Sequence, residues 1–165
     1  MAIGDRPSKD ETFMAIALAC AARSTCLRRR YGAVLVDGYG TVVATGYNGA
    51  PPKMAHCTDI GACPRDKVGA GIGERAELCK GVHAEQNALV QAGKAARGCV
   101  LYVAGVDVAN GKPAPPLPCF ICTKMLISGG VLWVVVRGED GNLKSVSVRE
   151  LYQHYLQIYR GAPVT

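Results

Sequence analysis

Three residues in this chain carry side chains that bind zinc well, at a spacing that leaves room for water. His83 is followed two positions later by Glu85, and Cys119 and Cys122 stand as C-x-x-C directly after Pro118. One imidazole and two thiolates suit Zn2+, and three protein ligands leave a fourth tetrahedral position open, as catalytic zinc sites do. Glu85 is too near His83 to reach round as a fourth ligand, and it is well placed to carry a proton. Alone, the C-x-x-C pair reads equally as a redox couple and His-x-Glu as ordinary helix surface. Their order and spacing, with the proline, favour metal-assisted hydrolysis.

Such donors need rigid elements. Pro118 fits a helix start, and Ile121, Met125 and Leu126 give residues 119–127 an apolar face. Thiolates at that helix start are stabilised by its partial positive charge. Residues 82–92 read as a helix with Ala84, Ala88, Leu89 and Ala92 on adjoining faces, ended by Gly93. Ser8 with Glu11 predicts a capping box on a first helix, whose stripe of Phe13, Met14, Ile16, Ala17 and Leu18 runs to about Cys26. Arg23, Arg28, Arg29 and Arg30 gather at its end. Strands are expected over 33–37 and 41–45, joined by Gly38-Tyr39-Gly40, and over 100–104 and 131–136. A terminal helix over 148–159 carries Leu151, Tyr155, Leu156 and Tyr159 near one face. Strands alternating with helices imply one α/β domain spanning 1–165. Residues 46–52 and 110–118 are loops by composition, and 56–80 is irregular, rich in Gly and Cys.

The chain has 165 residues, 49% of them hydrophobic, which excludes a disordered chain. A net charge of +6, from 19 basic and 13 acidic residues, favours an anionic ligand such as a nucleotide phosphate. The apolar run 13–22 faintly resembles a secretory signal, but Asp5, Asp10 and Glu11 replace its basic flank. A cytoplasmic protein with no membrane partner is expected, its eight cysteines serving as metal ligands and core residues. Cys20 and Cys99 read as small buried residues. Cys26, Cys57, Cys63 and Cys79 lie in or beside loops, where a second, structural zinc would staple the 56–80 stretch, His56 being an alternative ligand. Their spacing follows no standard C-x-x-C knuckle, so unpaired loop thiols are the competing reading.

Three further stretches are Arg23-Ser24-Thr25-Cys26 followed by Gly32-Ala33-Val34, Gly46-Tyr47-Asn48-Gly49, and His83-Ala84-Glu85-Gln86-Asn87-Ala88. With residues 118–122 they make the chain resemble the deoxycytidylate (dCMP) deaminase family of the cytidine deaminase superfamily, whose zinc motif has the form H-x-E…P-C-x-x-C. The resemblance implies a three-layer α/β/α fold around a five-stranded mixed sheet. It implies conversion of dCMP to dUMP and ammonia in pyrimidine deoxynucleotide metabolism. It also implies a homo-oligomer, often a hexamer, activated by dCTP and inhibited by dTTP, with Mg2+ accompanying the effector nucleotide. Glu85 would shuttle protons, Asn48 would bond the deoxyribose 3′-hydroxyl, and the Ala84 backbone N–H would meet the base. Cys26 and Cys57 match usual positions for a structural zinc.

Asn48 also reads as a turn residue at positive φ, since Asn-Gly is a common turn pair. Arg28 is the expected phosphate ligand, because a guanidinium fork grips phosphate oxygens bidentately. The competing reading of the arginines is a solvated helix end. Residues 107–117, with Asn110-Gly111-Lys112-Pro113-Ala114-Pro115-Pro116, depart from the family pattern and must lie beside the zinc mouth. Two other functions remain: a nucleic-acid-editing deaminase of the tRNA adenosine type, and a non-catalytic competence-associated protein of the same fold. The Gly46–Gly49 stretch with the Cys-rich insertion disfavours nucleic acid, and an intact Glu85 disfavours a non-catalytic module.

Overall fold

Period-two alternation in three strands builds the centre of the molecule. In β1 (Arg29–Val36), β3 (Val100–Asp107) and β4 (Trp133–Arg137), Ala33, Leu35, Leu101, Val103, Val134 and Val136 face one core cluster. Val34, Val36, Tyr102 and Val135 face another. A sheet that is apolar on both faces must be covered on both. The computed structural model, which describes residues 6–71, 73–115 and 117–160, has this α/β layering. Asp5 and Pro116 lie outside the described residues.

The sheet order is β2-β1-β3-β4-β5, with β2 (Val42–Tyr47) and β5 (Leu143–Ser147) at its edges. β1 pairs antiparallel with both β2 and β3, β3 and β4 run parallel, and β5 returns antiparallel to β4, which makes the sheet mixed. Helix α1 (Lys9–Ala21) covers one face through Phe13, Met14 and Ala17. Helices α4 (Ala84–Ala92) and α5 (Phe120–Gly129) cover the other through Ala84, Ala88, Leu89 and Leu126. Helix α6 (Val148–Arg160) lies on that side too, with Val148 in the same cluster.

The first helix is shorter than its apolar stripe suggests: it ends at Ala21, not near Cys26. Half of the expected capping box forms. The Ser8 hydroxyl accepts from the Glu11 N–H at 3.1 Å, but the Glu11 carboxylate turns to Arg137 across the sheet. β1 begins at Arg29, so Arg29 and Arg30 belong to a strand and not to a helix end. β5 carried no sequence expectation of its own, because half-exposed Leu143 followed by exposed Lys144 and Ser145 offers no apolar alternation. The 56–80 stretch contains two single-turn helices, α2 (Cys57–Ile60) and α3 (Pro64–Lys67), and a 3-10 turn over Ala76–Leu78. Its neck is closed by a pair of backbone hydrogen bonds between Gly49 and Val82, at 3.2 and 2.8 Å.

Candidate active site

β2 meets α4 at Gly46, where a side chain would collide with the Ala84 carbonyl and the Ala88 amide, so only glycine allows the approach. The Asn87 side chain fastens the same joint by donating to the Tyr47 carbonyl at 2.8 Å. His83 is the N-cap of α4, and its own N–H donates to the Gln86 side chain at 3.0 Å. Gln86 in turn donates to the Met125 sulfur on α5 at 3.3 Å. The Gln and Asn after Glu85 therefore hold His83 and α4 in place.

Cys119 is the N-cap of α5, its sulfur 3.5 Å from the Cys122 N–H as acceptor. The His83 Nδ1 lies 3.6 Å from the Cys119 sulfur and 3.3 Å from that of Cys122. Tetrahedral zinc with Zn–N near 2.0 and Zn–S near 2.3 Å puts N and S roughly 3.5 Å apart, so the three donors fit that ion. Among the described residues these three bring their donor atoms within 4.8 Å of one another. The two sulfurs titrate as a pair. Hydrogen bonding from Cys122 drives the Cys119 thiol down to about 4, while that same bond, then burial, pushes Cys122 up. The contact with Cys119 also raises His83, against burial. A dication relieves repulsion between two adjacent thiolates, and the donor set suits it.

Glu85 is buried in the first turn of α4, and burial raises its carboxyl above the ordinary range. A carboxyl whose proton affinity is raised in this way is suited to take a proton from water and give it up again. Ala84 is wholly buried beside it, and its N–H is one of the first in α4, which have no partner within the helix.

Residues 7–137 match the cytidine and deoxycytidylate deaminase zinc-binding region. The chain belongs to the cytidine and deoxycytidylate deaminase family. It is 38% identical over 132 residues to the deoxycytidylate deaminase of Schizosaccharomyces pombe, covering 79% of this chain and 37% of the relative. It is 38% identical over 141 residues to the deoxycytidylate deaminase of Mycobacterium phage D29, covering 82% of this chain and 98% of the relative. The chain thus spans under two fifths of the fission-yeast protein and nearly all of the phage one. The dCMP deaminase of cyanophage S-TIM5, solved in complex with dCMP and dUMP, has a TM-score of 0.58 at 26% identity, covering 90% of this chain and 93% of that one. Zinc is the family's metal, and His83, Cys119 and Cys122 are this member's candidate ligands.

The structure distributes the other expected residues more widely. The Asn48 oxygen accepts from the Tyr31 N–H at 2.7 Å and its amide donates to the Arg29 carbonyl at 2.9 Å, while its own N–H donates to the Tyr31 carbonyl. Positive φ among the described non-glycine residues is confined to Lys53 and Arg75, so Asn48 is no left-handed turn residue. Arg28 turns toward the 56–80 stretch: it donates to the Ala70 carbonyl at 3.0 Å and pairs with Asp66 at 3.4 Å, leaving Nη1 without a partner among the described residues. Arg29 pairs with Asp107. Cys26 and Cys79 each accept an N–H from two residues on, Arg28 and Gly81, at 3.4 Å. Cys57 is pushed up by burial, then by the neighbouring sulfurs of Cys63, Cys26 and Cys79. These four cluster more loosely than the first site, and His56 bonds Thr25 at 3.0 Å.

Two residues of the site escaped the sequence reading. Tyr31 packs its ring over Gly105, where a side chain would strike it, and its hydroxyl donates to the Pro115 carbonyl at 2.8 Å. Burial, and after it the charges of Glu85 and Asp107, push its phenol up to about 12. Tyr155 on α6 donates to the Pro118 carbonyl at 2.7 Å. Nothing in the spacing of either tyrosine announces these contacts.

Proposed function

We propose that the protein is a zinc-dependent hydrolase that converts dCMP and water to dUMP and ammonia. The observation that carries this is the triangle of His83 Nδ1, Cys119 and Cys122 beside a buried Glu85. The phage D29 relative, covered over 98% of its length, supports the choice of nucleotide.

When bound, zinc supplies Lewis acidity that makes water a nucleophile near neutral pH. Glu85 takes the proton that water loses on adding to C4 of cytosine and delivers it to ring N3. It then takes the proton of the hydroxyl now on C4 and hands it to N4, so that the C4–N4 bond breaks, ammonia leaves and the C4 carbonyl forms. The Ala84 N–H, at the positive end of α4, orients the base. Asn48, pinned on both sides to β1, retains one amide hydrogen and one lone pair for the sugar 3′-hydroxyl. Arg28, whose buried Nη1 has no partner among the described residues, is the phosphate ligand in this reading and would have to turn from Asp66 to serve.

The same reading includes a structural zinc at Cys26, Cys57, Cys63 and Cys79. Backbone N–H groups donating to Cys26 and Cys79 are the kind of outer support that metal-bound thiolates receive. It also includes a homo-oligomer, as large as a hexamer, dCTP and dTTP as effectors with Mg2+, and a cytoplasmic setting. No described helix is long and apolar enough to cross a membrane.

Side-by-side assay of dCMP, deoxycytidine, dCTP and a tRNA tests the substrate. Ammonia release fastest from dCMP supports it. Preference for the tRNA, or no release from any of the four, overturns it.

A further inference from the structure

Helix α6 lies beyond residues 7–137, the part of the chain that matches the family, yet it grips the turn that carries Cys119 from both sides. On the near side, Tyr155 donates to the carbonyl of Pro118, whose side chain is fully buried. On the far side, the Phe120 ring packs on Tyr152, Tyr155 and Tyr159, with centroids 5.5, 5.4 and 5.3 Å away. Lys124 sits 4.9 Å from the same ring.

The chain between these two holds is short. The Pro118–Cys119 peptide and the extended backbone of Cys119 (φ −65°, ψ 168°) set where its sulfur stands relative to Cys122 and His83. The Thr123 hydroxyl binds the Cys119 carbonyl at 3.0 Å from within α5, so the carbonyl after the sulfur is fixed by α5 itself. The carbonyl before it takes its short bond from α6, 2.7 Å from the Tyr155 hydroxyl, while the Thr123 hydroxyl lies 3.5 Å away. Swinging the Pro118–Cys119 peptide would move the Cys119 sulfur, and the Tyr155 bond opposes that swing.

We infer that Tyr155 is a positioning residue for the metal site: its hydroxyl on the Pro118 carbonyl, with Phe120 seated among the α6 tyrosines, holds Cys119 at ligand distance from His83 and Cys122. This rests on the reading of those three residues as zinc ligands. Partners one step removed from a metal commonly change its affinity by roughly 10- to 100-fold when lost. A contact that acts through the neighbouring peptide belongs at the low end.

Zinc affinity measured by competition with a chromogenic chelator tests the idea. The wild-type protein and His83→Ala identify the relevant step: a chelation step present in the first and missing in the second belongs to this site. If that step is missing from wild type, the ligand reading itself has failed, separately from the role of Tyr155. Tyr155→Phe removes only the hydroxyl and should weaken that step about tenfold, with the circular dichroism spectrum unchanged. Co2+ substitution should report the same change as shifted visible bands. Tyr39→Phe, which removes a hydroxyl from an exposed turn far from the device, should match wild type. Zinc affinity within twofold of wild type in Tyr155→Phe would overturn the inference. So would loss of the fold in place of the metal, since the hydroxyl would then be a general stability contact.

Discussion

The Tyr31 hydroxyl and the Pro115 carbonyl, 2.8 Å apart, join the first residues of β1 to the 107–117 segment. Through residue 115 that segment is built onto the sheet. Asp107 and Lys112 bond through their backbones at 2.8 Å, Ala114 donates to Gly105 at 3.0 Å, and Ala114 is buried. A phenol whose folded pKa is about 12, against roughly 10 when unfolded, leaves stability untouched below pH 10. Its ionisation then erodes stability as pH rises from 10 towards 12, by at most about 1.4 kcal/mol per pH unit. Tyr31→Phe should therefore cost about 1 kcal/mol at pH 8 through the lost hydrogen bond, yet decline less steeply above pH 10. Urea midpoints at pH 8 and pH 11 measure both effects, and parallel declines in the two proteins would contradict them.

Replacing Glu85 by Gln keeps the three donors while removing the proton carrier. Turnover of dCMP should fall about 10²–10⁴-fold with zinc content unchanged. Cys119→Ala, in contrast, should lose the metal. Turnover by Glu85→Gln close to wild type would remove Glu85 from the mechanism.

The two occupations of Arg28 predict different kinetics. As a phosphate ligand, Arg28→Ala should slow dCMP about 30-fold more than deoxycytidine, the equivalent of about 2 kcal/mol for a charged hydrogen bond. As a strut between Asp66 and the Ala70 carbonyl, it should slow both equally and lower the melting temperature. The ratio of the two kcat/KM values decides between them.

Metal analysis of the intact protein should give about two zinc ions per chain, one for each cysteine group. Cys57→Ser should release one of them and lower thermal stability before it lowers activity. A single ion, with Cys26, Cys57, Cys63 and Cys79 all reactive towards a thiol reagent, would leave the second site without support.

The parts of this molecule that sequence reveals are those set by local spacing. His83 and Glu85 stand at one helix start and Cys119 and Cys122 at another, so two short motifs bring most of the candidate site with them. The buried strands were legible because β1, β3 and β4 are apolar on both faces. β5 was not, since its residues are exposed or half exposed and pair with only one neighbour. The Arg28 and Asn48 contacts were hidden for a different reason. Ala70 and Arg29 are reached through backbone carbonyls, which have no residue identity to read, and Asp66 lies far beyond any local spacing from Arg28.

The paired bonds between Gly49 and Val82 also decide how the chain can be edited. Because the polypeptide leaves and re-enters through adjoining backbone groups at Gly49 and Val82, the stretch between them has a fixed base. Doubling the length of such a loop costs only about 0.6 kcal/mol in closure entropy, and the base transmits little of that change to His83. This makes the stretch a place where length can vary without moving that base, as long as Asp66, Ala70 and His56 keep their bonds to Arg28 and Thr25.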